Sequence, residues 1–296
     1  GRSHLLPLPR DLAPMGAIDV TDTHVIVQLG SPATVDGRRY EAETVLAHHL
    51  DDTLAEGRRA SVIFAPGQGE FVNGKADVVS VGDKVALVSN RNLRQRLLLA
   101  TPGDDGWSTH EVFQAEPGDT VTLRGGEELI VTTDGFTTPR RQELHRPGKP
   151  VALLARDPVM YEADGYVTEI GSATSRDGTP VDYFLLRPKQ ASTQPQPLLV
   201  TGYAAFATSF RPGYFDYIVG GPAFKLWLDR GGSLVIPAAR GGNERGEAWH
   251  RAAMREQRQN SYDDFIAVIE KLQRSGYTTP AQTGVFGSSN GGLLAA

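Results

Sequence analysis

Short apolar runs separated by turn residues dominate the first half of the chain. Each run is rich in Val, Ile and Leu, and the turns between them contain Gly, Pro, Asp and Asn. This pattern predicts β-strands at residues 24–29, 60–65, 76–81, 84–89, 94–100, 120–124 and 127–133. Since almost no segment before Met160 has a helical period, residues 1–160 are predicted to form an all-β region, either a sandwich or propeller blades.

A faint internal repeat favours propeller blades over a sandwich. Residues 22–27, 83–88 and 126–131 each place a polar turn before an apolar strand. They recur about every 45 to 60 residues, near the length of a four-stranded blade. Ordinary β-hairpins are the alternative explanation. If the repeats are blades, roughly three or four are present, which is too few to close a ring.

From about Tyr166 the chain alternates between predicted strands and predicted helices. The strands lie at residues 166–173, 181–187, 198–201, 233–238 and 283–286, and a helix covers residues 222–230. A second helix begins at Ser261, where S-x-x-D resembles a capping box. Alternation of this kind predicts a parallel α/β sheet over residues 161–296.

The second helix carries one apolar face and ends at a glycine. Its predicted inward positions are Phe265, Ile266, Val268, Ile269 and Leu272. Ser275-Gly276 supplies the usual C-terminal stop signal.

Composition narrows the classes of function. Lys and Arg number 30 against 35 Asp and Glu, which gives a net charge of -5 without any basic block. A nucleic-acid partner is therefore not expected. The chain has no cysteine, so disulfides, thiolate catalysis and Cys-based zinc sites are excluded.

The first residues of the chain match no known targeting pattern. The opening GRSHLLPLPR has neither an initiator Met nor a signal-peptide pattern, and the chain is expected to be a piece of a longer protein. No apolar run approaches the roughly 20 residues of a membrane span, so no membrane partner is expected. We expect a cytoplasmic location, with the periplasm as the alternative.

The strongest chemical signal is the pattern G-x-S-x-G at residues 287–291, the nucleophile elbow. A serine between a strand and a helix sits on a sharp, strained turn, and the positions two residues away must be glycine to avoid collisions. The following helix presents free N–H groups that can stabilise an oxyanion. A Val-Phe strand precedes the motif and an apolar helix follows it, so Ser289 is the predicted nucleophile. A plain Gly-rich turn is the alternative.

Three segments around this motif are shared with a known family. They read GSSNGGLL at 287–294, RGGNERGEAWH at 240–250, and NSYDDF at 260–265 followed by GYTTP at 276–280. They resemble the prolyl oligopeptidase family of serine peptidases, whose elbow reads G-G-S-N-G-G-L-L and whose second segment reads R-G-G-G-E-x-G-x-x-W-H. Ser288 and Asn243 each replace a glycine, and we expect the elbow to tolerate Ser288. The resemblance implies an α/β-hydrolase domain at 161–296, truncated, preceded by part of a seven-bladed-type β-propeller at 1–160.

A fourth segment, Gly202-Tyr-Ala-Ala-Phe206, resembles the family's G-Y-G-G-F. The resemblance implies that the Tyr203 hydroxyl and the backbone N–H of Asn290 are the two oxyanion donors. It also implies that Phe206 lines an apolar pocket for the residue before the scissile bond. The alternatives are a tyrosine packed beside a strand end and an ordinary core phenylalanine. Since alanine replaces both glycines, the loop backbone is expected to differ somewhat.

The remaining polar residues are weaker candidates. His250 precedes the serine, whereas α/β-hydrolases place Ser, Asp and His in that order, so a structural role is expected. Asp263 and Asp264 are interpreted as carboxylates near a helix N-terminus. No pairing pattern marks Asp216, Asp229 or Glu244. The other histidines (4, 24, 48, 49, 110 and 145) lack metal-ligand spacing, and neither a metal nor a cofactor is expected.

A serine hydroxyl becomes nucleophilic only when a base, held by an acid, removes its proton. The family places that Asp and His downstream of the serine, so the chain, ending at Ala296, is expected to lack both. The resemblance implies a parent serine endopeptidase or oligopeptidase that cleaves short peptides after proline through an acyl-enzyme, as a monomer. The alternatives are a non-catalytic fragment, or an esterase or acylaminoacyl hydrolase of the same fold.

Overall fold

A computed structural model describes residues 18–51, 60–73, 77–146, 148–190, 192–214 and 221–296. Most of the regular structure in these residues is β-sheet. Ala76, at the start of a predicted strand, lies outside the described residues.

Three antiparallel sheets follow one another through the first half. The first has the order β1-β2-β5-β6, with the hairpin β3-β4 beside it, and the third has the order β12-β13-β14-β15. In the second sheet, β9 pairs with β7, β8 and β10, and β11 pairs with β10. Their strands are β1 (Ile18–Val20), β2 (His24–Gln28), β3 (Ala33–Val35), β4 (Arg38–Tyr40), β5 (Val45–His49), β6 (Ala60–Phe64), β7 (Glu70–Val72), β8 (Val78–Val81), β9 (Lys84–Arg91), β10 (Arg94–Gly103), β11 (Gly106–Gln114), β12 (Asp119–Arg124), β13 (Leu129–Gly135), β14 (Arg141–His145) and β15 (Ala152–Arg156).

The faint sequence repeat corresponds to one position in each sheet. Its apolar segments form β2, β9 and β13, and each pairs antiparallel with the strand that precedes it, β1, β8 or β12. The repeat therefore marks three successive sheets of similar construction, as expected of propeller blades.

Alternation along β9 explains how the sheets pack. Leu87 belongs to the core cluster shared with Ile26 of the first sheet. Its neighbour Val88 belongs to the cluster shared with Val131 of the third. Since successive side chains of a strand point to opposite faces, a strand buried on both faces reads as a continuous apolar run.

A mixed sheet with helices occupies the second half. Its order is β16-β17-β19-β18-β20, with helices α1 to α4 between or after its strands. The elements are β16 (Tyr166–Thr174), β17 (Pro180–Pro188), β18 (Leu198–Val200), α1 (Gly221–Leu228), β19 (Ser233–Pro237), α2 (Glu247–Arg251), α3 (Gln259–Arg274), β20 (Thr283–Val285) and α4 (Asn290–Ala295).

The prediction of a parallel sheet is correct for three of the five strands. β18 runs parallel to both β19 and β20, whereas β17 is antiparallel to β16 and to β19. The short turn at 175–179 explains the pairing of β16 with β17, because it joins them as a hairpin and a parallel pair needs a longer crossover.

The predicted start of α3 is wrong. The helix begins at Gln259, and no side-chain cap satisfies its N-terminus. Ser261 is buried within the helix, where its hydroxyl donates to the carbonyl of Arg240 at 2.5 Å. Phe265, Val268 and Leu272 face the core as expected, whereas Ile266 is 47% exposed.

Hydrogen bonds and ion pairs connect the two halves. Arg211 forms an ion pair of 2.9 Å with the fully buried Asp77. The Asn243 amide donates to Asn73 at 2.9 Å. The predicted boundary between residues 160 and 161 falls between β15 and β16 and stays a prediction. Among the described helices, none combines the length and the apolar composition needed to cross a membrane.

Candidate functional site

The sharp turn between β20 and α4 carries Ser289. Its backbone has φ 52° and ψ −124°, a left-handed conformation that costs a non-glycine residue on the order of 1 to 3 kcal/mol. Ser289 is exposed. A strained, exposed serine directly before a helix is what the G-x-S-x-G pattern predicts.

Both glycines of the motif lie against backbone. A Cβ atom on Gly287 would lie 2.0 Å from the carbonyl oxygen of Gly291, and one on Gly291 would lie 2.4 Å from that of Gly202. Neither oxygen can move without shifting the chain, so glycine is required at both positions. Ser288, between Gly287 and Ser289, does not adopt a left-handed backbone, so the turn accommodates its side chain.

The loop after β18 forms the second part of the site. Ala204, Phe206 and Ala207 all have left-handed backbone, with φ of 51°, 57° and 52°. Ala204 thus adopts at some cost a conformation that glycine takes freely. Tyr203 is half-buried beside it, with its ring centroid 6.2 Å from that of Phe206. Phe206 is 73% exposed, so its interpretation as a core residue is wrong.

Asn290 joins the loop to the turn. Its side-chain amide donates to the carbonyl of Tyr203. As the first residue of α4, it has a backbone N–H without an intrahelical acceptor. The structure therefore brings together the segments of three predicted site residues, Ser289, Asn290 and Tyr203. Their roles as nucleophile and oxyanion donors stay predictions, as does that of Phe206.

Arg258 is the residue of this region that sequence reasoning missed. Its guanidinium donates to the carbonyl of Ala204 at 2.5 Å and to the side-chain oxygen of Asn290 at 3.2 Å. It lies in a polar run, REQRQN at 255–260, that carries no apolar period. The available signal was the spacing of Arg258, Ser261 and Asp264, because residues three apart share a helix face.

Asp264 differs from its predicted role near the helix N-terminus. It is fully buried and accepts three hydrogen bonds from Arg240, one from the backbone and two from the guanidinium, at 2.6 to 2.9 Å. The hydrogen bond to Asp264 raises the pKa of Arg240 above its ordinary value. This pair fixes the start of the 240–250 segment against α3.

His250 lies beside the loop of Tyr203. Its Nδ1 is 2.8 Å from the carbonyl oxygen of Gly241. The backbone N–H of Ala207 lies 3.0 Å from the same nitrogen and 3.3 Å from the same oxygen. The His250 ring therefore packs against the backbone of the loop at Ala207 and at Gly241, which is consistent with the structural role expected for it.

The other candidates have separate positions. Asp229 pairs with Lys225 at 2.5 Å, and Asp263 accepts a hydrogen bond from Gln259 at 2.9 Å. The His24 and His49 rings meet edge to face, 4.9 Å apart. His4 and Asp216 lie outside the described residues.

Glu244 is buried where the two halves meet, in the wall of a cavity of about 30 Å³. One carboxylate oxygen accepts from the backbone N–H of Phe210 at 2.9 Å. Burial raises the pKa of Glu244 from 4.5 to about 7. The folded protein therefore binds this proton more tightly than the unfolded chain does, and the contribution of Glu244 to stability falls as pH rises from about 4.5 through 7.

Glu244→Gln should stabilise the protein at pH 8 and leave it unchanged at pH 5. The amide keeps an acceptor for Phe210 but needs no buried charge, so the gain at pH 8 is roughly 3 kcal/mol at most. Thermal or urea unfolding at the two pH values measures it. A gain that is equal at pH 5 and pH 8 would contradict the assignment to Glu244.

Comparison with known proteins shows that the chain is similar to peptidases. The model of the prolyl oligopeptidase family matches residues 222–296. An uncharacterized peptidase of Sinorhizobium fredii is 29% identical over 266 residues, covering 87% of this chain and 35% of that protein. A prolyl endopeptidase of Elizabethkingia miricola is 38% identical over 98 residues, which cover 33% of this chain and 13% of the endopeptidase.

A solved structure shows the same similarity over nearly the whole chain. The post-proline cleaving enzyme from Rickettsia typhi superposes with a TM-score of 0.78 at 26% identity, covering 94% of this chain and 40% of that enzyme. The chain spans about a third of the length of two curated relatives that it matches over most of its own length.

Proposed function

We propose that this chain belongs to the prolyl oligopeptidase family, whose model matches residues 222–296, and that it carries the nucleophile and the oxyanion donors of a serine peptidase. The observation that carries the proposal is the geometry of Ser289. Ser289 is exposed at a left-handed strand-to-helix turn. The turn lies next to the loop of Tyr203, because the backbone of Gly291 packs against the carbonyl oxygen of Gly202.

The proposed reaction is acyl transfer through an ester. The Ser289 hydroxyl attacks the carbonyl carbon of the scissile peptide bond and gives its proton to a base. The oxygen of the tetrahedral intermediate accepts hydrogen bonds from the Asn290 N–H and the Tyr203 hydroxyl. Collapse of this intermediate breaks the C–N bond, and the protonated base donates its proton to the leaving amine. Water then hydrolyses the acyl-enzyme by the same steps.

The base and the acid of the triad are proposed to follow Ala296 in the full-length protein. The order Ser, Asp, His of α/β-hydrolases supports this position. We also propose that the mixed sheet at 166–296 begins the α/β-hydrolase domain of that protein. The parallel strands β19, β18 and β20 all direct their carboxyl ends towards the 238–241 segment, the Tyr203 loop and the elbow, where such sheets bind ligands.

Cleavage after proline is the proposed specificity. The names of the Elizabethkingia and Rickettsia proteins state such a specificity for those enzymes. In this chain the exposed Phe206 ring, next to Tyr203, offers an apolar surface for a proline ring before the scissile bond.

Two measurements on the full-length protein test the proposal. A fluorophosphonate probe should label Ser289, and a Gly-Pro reporter peptide should be cleaved much faster than reporters with Arg or Lys before the scissile bond. Labelling without peptide cleavage would favour an esterase or acylaminoacyl hydrolase. Residues 1–296 alone should label slowly, because the proposed base is absent. Rapid labelling of that chain would contradict a base downstream of Ala296.

A further inference from the structure

The two proposed oxyanion donors come from separate parts of the chain. Tyr203 lies in the loop after β18, whereas Asn290 begins α4 after β20. A hydrogen bond to one developing oxyanion requires both donors to be held within about 0.5 Å of their working positions. The loop also has three left-handed non-glycine residues, Ala204, Phe206 and Ala207. Strained backbone of this kind persists only where surrounding contacts over-determine it.

Arg258 supplies such contacts from a third element. It immediately precedes α3, and its guanidinium donates to the Ala204 carbonyl and to the Asn290 side-chain oxygen. Asn290 in turn donates to the Tyr203 carbonyl. Arg258, Asn290 and the backbone of Tyr203 and Ala204 therefore form a closed set of hydrogen bonds, which we call the loop clamp.

The guanidinium is itself held in place. It donates to the Ser261 hydroxyl at 3.1 Å, and Ser261 is anchored on the Arg240 carbonyl. The guanidinium carbon lies 5.3 Å from the centroid of the Tyr262 ring, within the range of a cation–π contact. These contacts hold the Arg258 side chain against α3. The position of α3 therefore determines where the guanidinium meets the Tyr203 loop.

We propose that Arg258 is a positioning residue of the peptidase, which sets the Tyr203 hydroxyl against the Asn290 N–H through the loop clamp. The inference rests on the proposed function, because it assigns a purpose to the geometry of those two donors. Arginine suits the task because its planar fork presents several donors in fixed directions. Lysine has a point charge on a flexible stem and cannot reproduce that geometry.

Arg258→Met in the full-length protein is the primary test. Oxyanion donors act mainly in the transition state, so kcat for a Gly-Pro reporter should fall about tenfold to a hundredfold while KM changes by less than about twofold. Arg258→Lys should recover only part of the loss. Arg274→Met is the matched control, because Arg274 lies on the same helix and its pair with Glu270 is exposed. Its kcat should equal that of the wild type.

Double variants distinguish positioning from a general structural defect. If Arg258 acts through the clamp, Arg258→Met combined with Asn290→Ala, which keeps the backbone N–H, should be no slower than the worse single variant. Arg258→Met should likewise cost less in a Tyr203→Phe background. Fully additive losses in both pairs would overturn the proposal.

Hydrogen exchange gives a readout that does not require activity. Amides of residues 203–208 should exchange faster in Arg258→Met than in the wild type or in Arg274→Met, with the rest of α3 unchanged. If wild type and Ser289→Ala are equally inactive on every reporter while this local exchange still rises, the proposed function fails and the clamp stands. If wild type is active but neither kcat nor exchange responds to Arg258→Met, the clamp is refuted and the proposed function stands.

Discussion

Ser289→Ala in the full-length protein is expected to lower kcat for a Gly-Pro reporter by at least about 10⁴-fold. The substitution removes the attacking oxygen and leaves the left-handed turn, which alanine adopts at a similar cost. Binding of the peptide does not depend on the hydroxyl, so KM should change little. Steady-state kinetics and the loss of fluorophosphonate labelling measure the effect.

The adjacent serine provides the control. Ser288 is also exposed and carries the same hydroxyl, but it occupies a position that the G-x-S-x-G pattern leaves free. Ser288→Ala should therefore retain wild-type kcat and labelling. If activity survived Ser289→Ala and was lost in Ser288→Ala, the elbow would have been assigned one residue too late.

The sharp turn that carries Ser289 could be predicted because several physical requirements act on a few consecutive residues. A strand, a sharp turn and a helix must follow one another, and the turn has room only for glycine at two positions. Gly287 and Gly291 meet this requirement through contacts to backbone oxygens. The Gly287 contact is made within the motif, so a local pattern can report on it, whereas the Gly291 contact is made with Gly202 of the Tyr203 loop.

Several strands could not be predicted because their own sequence carries little of the information. β11 (GWSTHEVFQ) and β14 (RQELH) are polar and mostly not buried. They form because β10 and β13 present unpaired backbone groups to them. Pairing of this kind depends on neighbours distant in sequence, and an apolar period cannot reveal it.

The prediction of a capping box at Ser261 was wrong for a related reason. The S-x-x-D pattern is local, but both side chains are used in tertiary contacts, Ser261 with the Arg240 carbonyl and Asp264 with the Arg240 side chain. The helix could therefore extend one half-turn further towards its N-terminus, which places Arg258 next to the Tyr203 loop. The same error hid both the true start of the helix and the contacts of Arg258 with Ala204 and Asn290.

Tyr203→Phe is expected to lower kcat about a hundredfold to a thousandfold, with a small change in KM. Only proline would remove the Asn290 N–H, and it would also remove the side-chain amide that donates to the Tyr203 carbonyl, so Tyr203 is the proposed donor that mutagenesis can delete cleanly. Phenylalanine keeps the ring packed beside Phe206 and loses only the hydroxyl. Because the lost bond forms mainly to the developing oxyanion, the effect belongs to the transition state and appears in kcat.

Tyr277→Phe is the matched control for this loss. The Tyr277 hydroxyl is hydrogen-bonded to Ser233 at 2.6 Å, and Ser233 begins β19, at the opposite end of the strand from the site. Its removal should reduce stability by about 1 kcal/mol and leave kcat unchanged. Equal losses of kcat in the two variants would indicate damage to the sheet. A loss confined to Tyr203→Phe, and smaller when Arg258 is already Met, would identify Tyr203 as a donor whose position depends on α3.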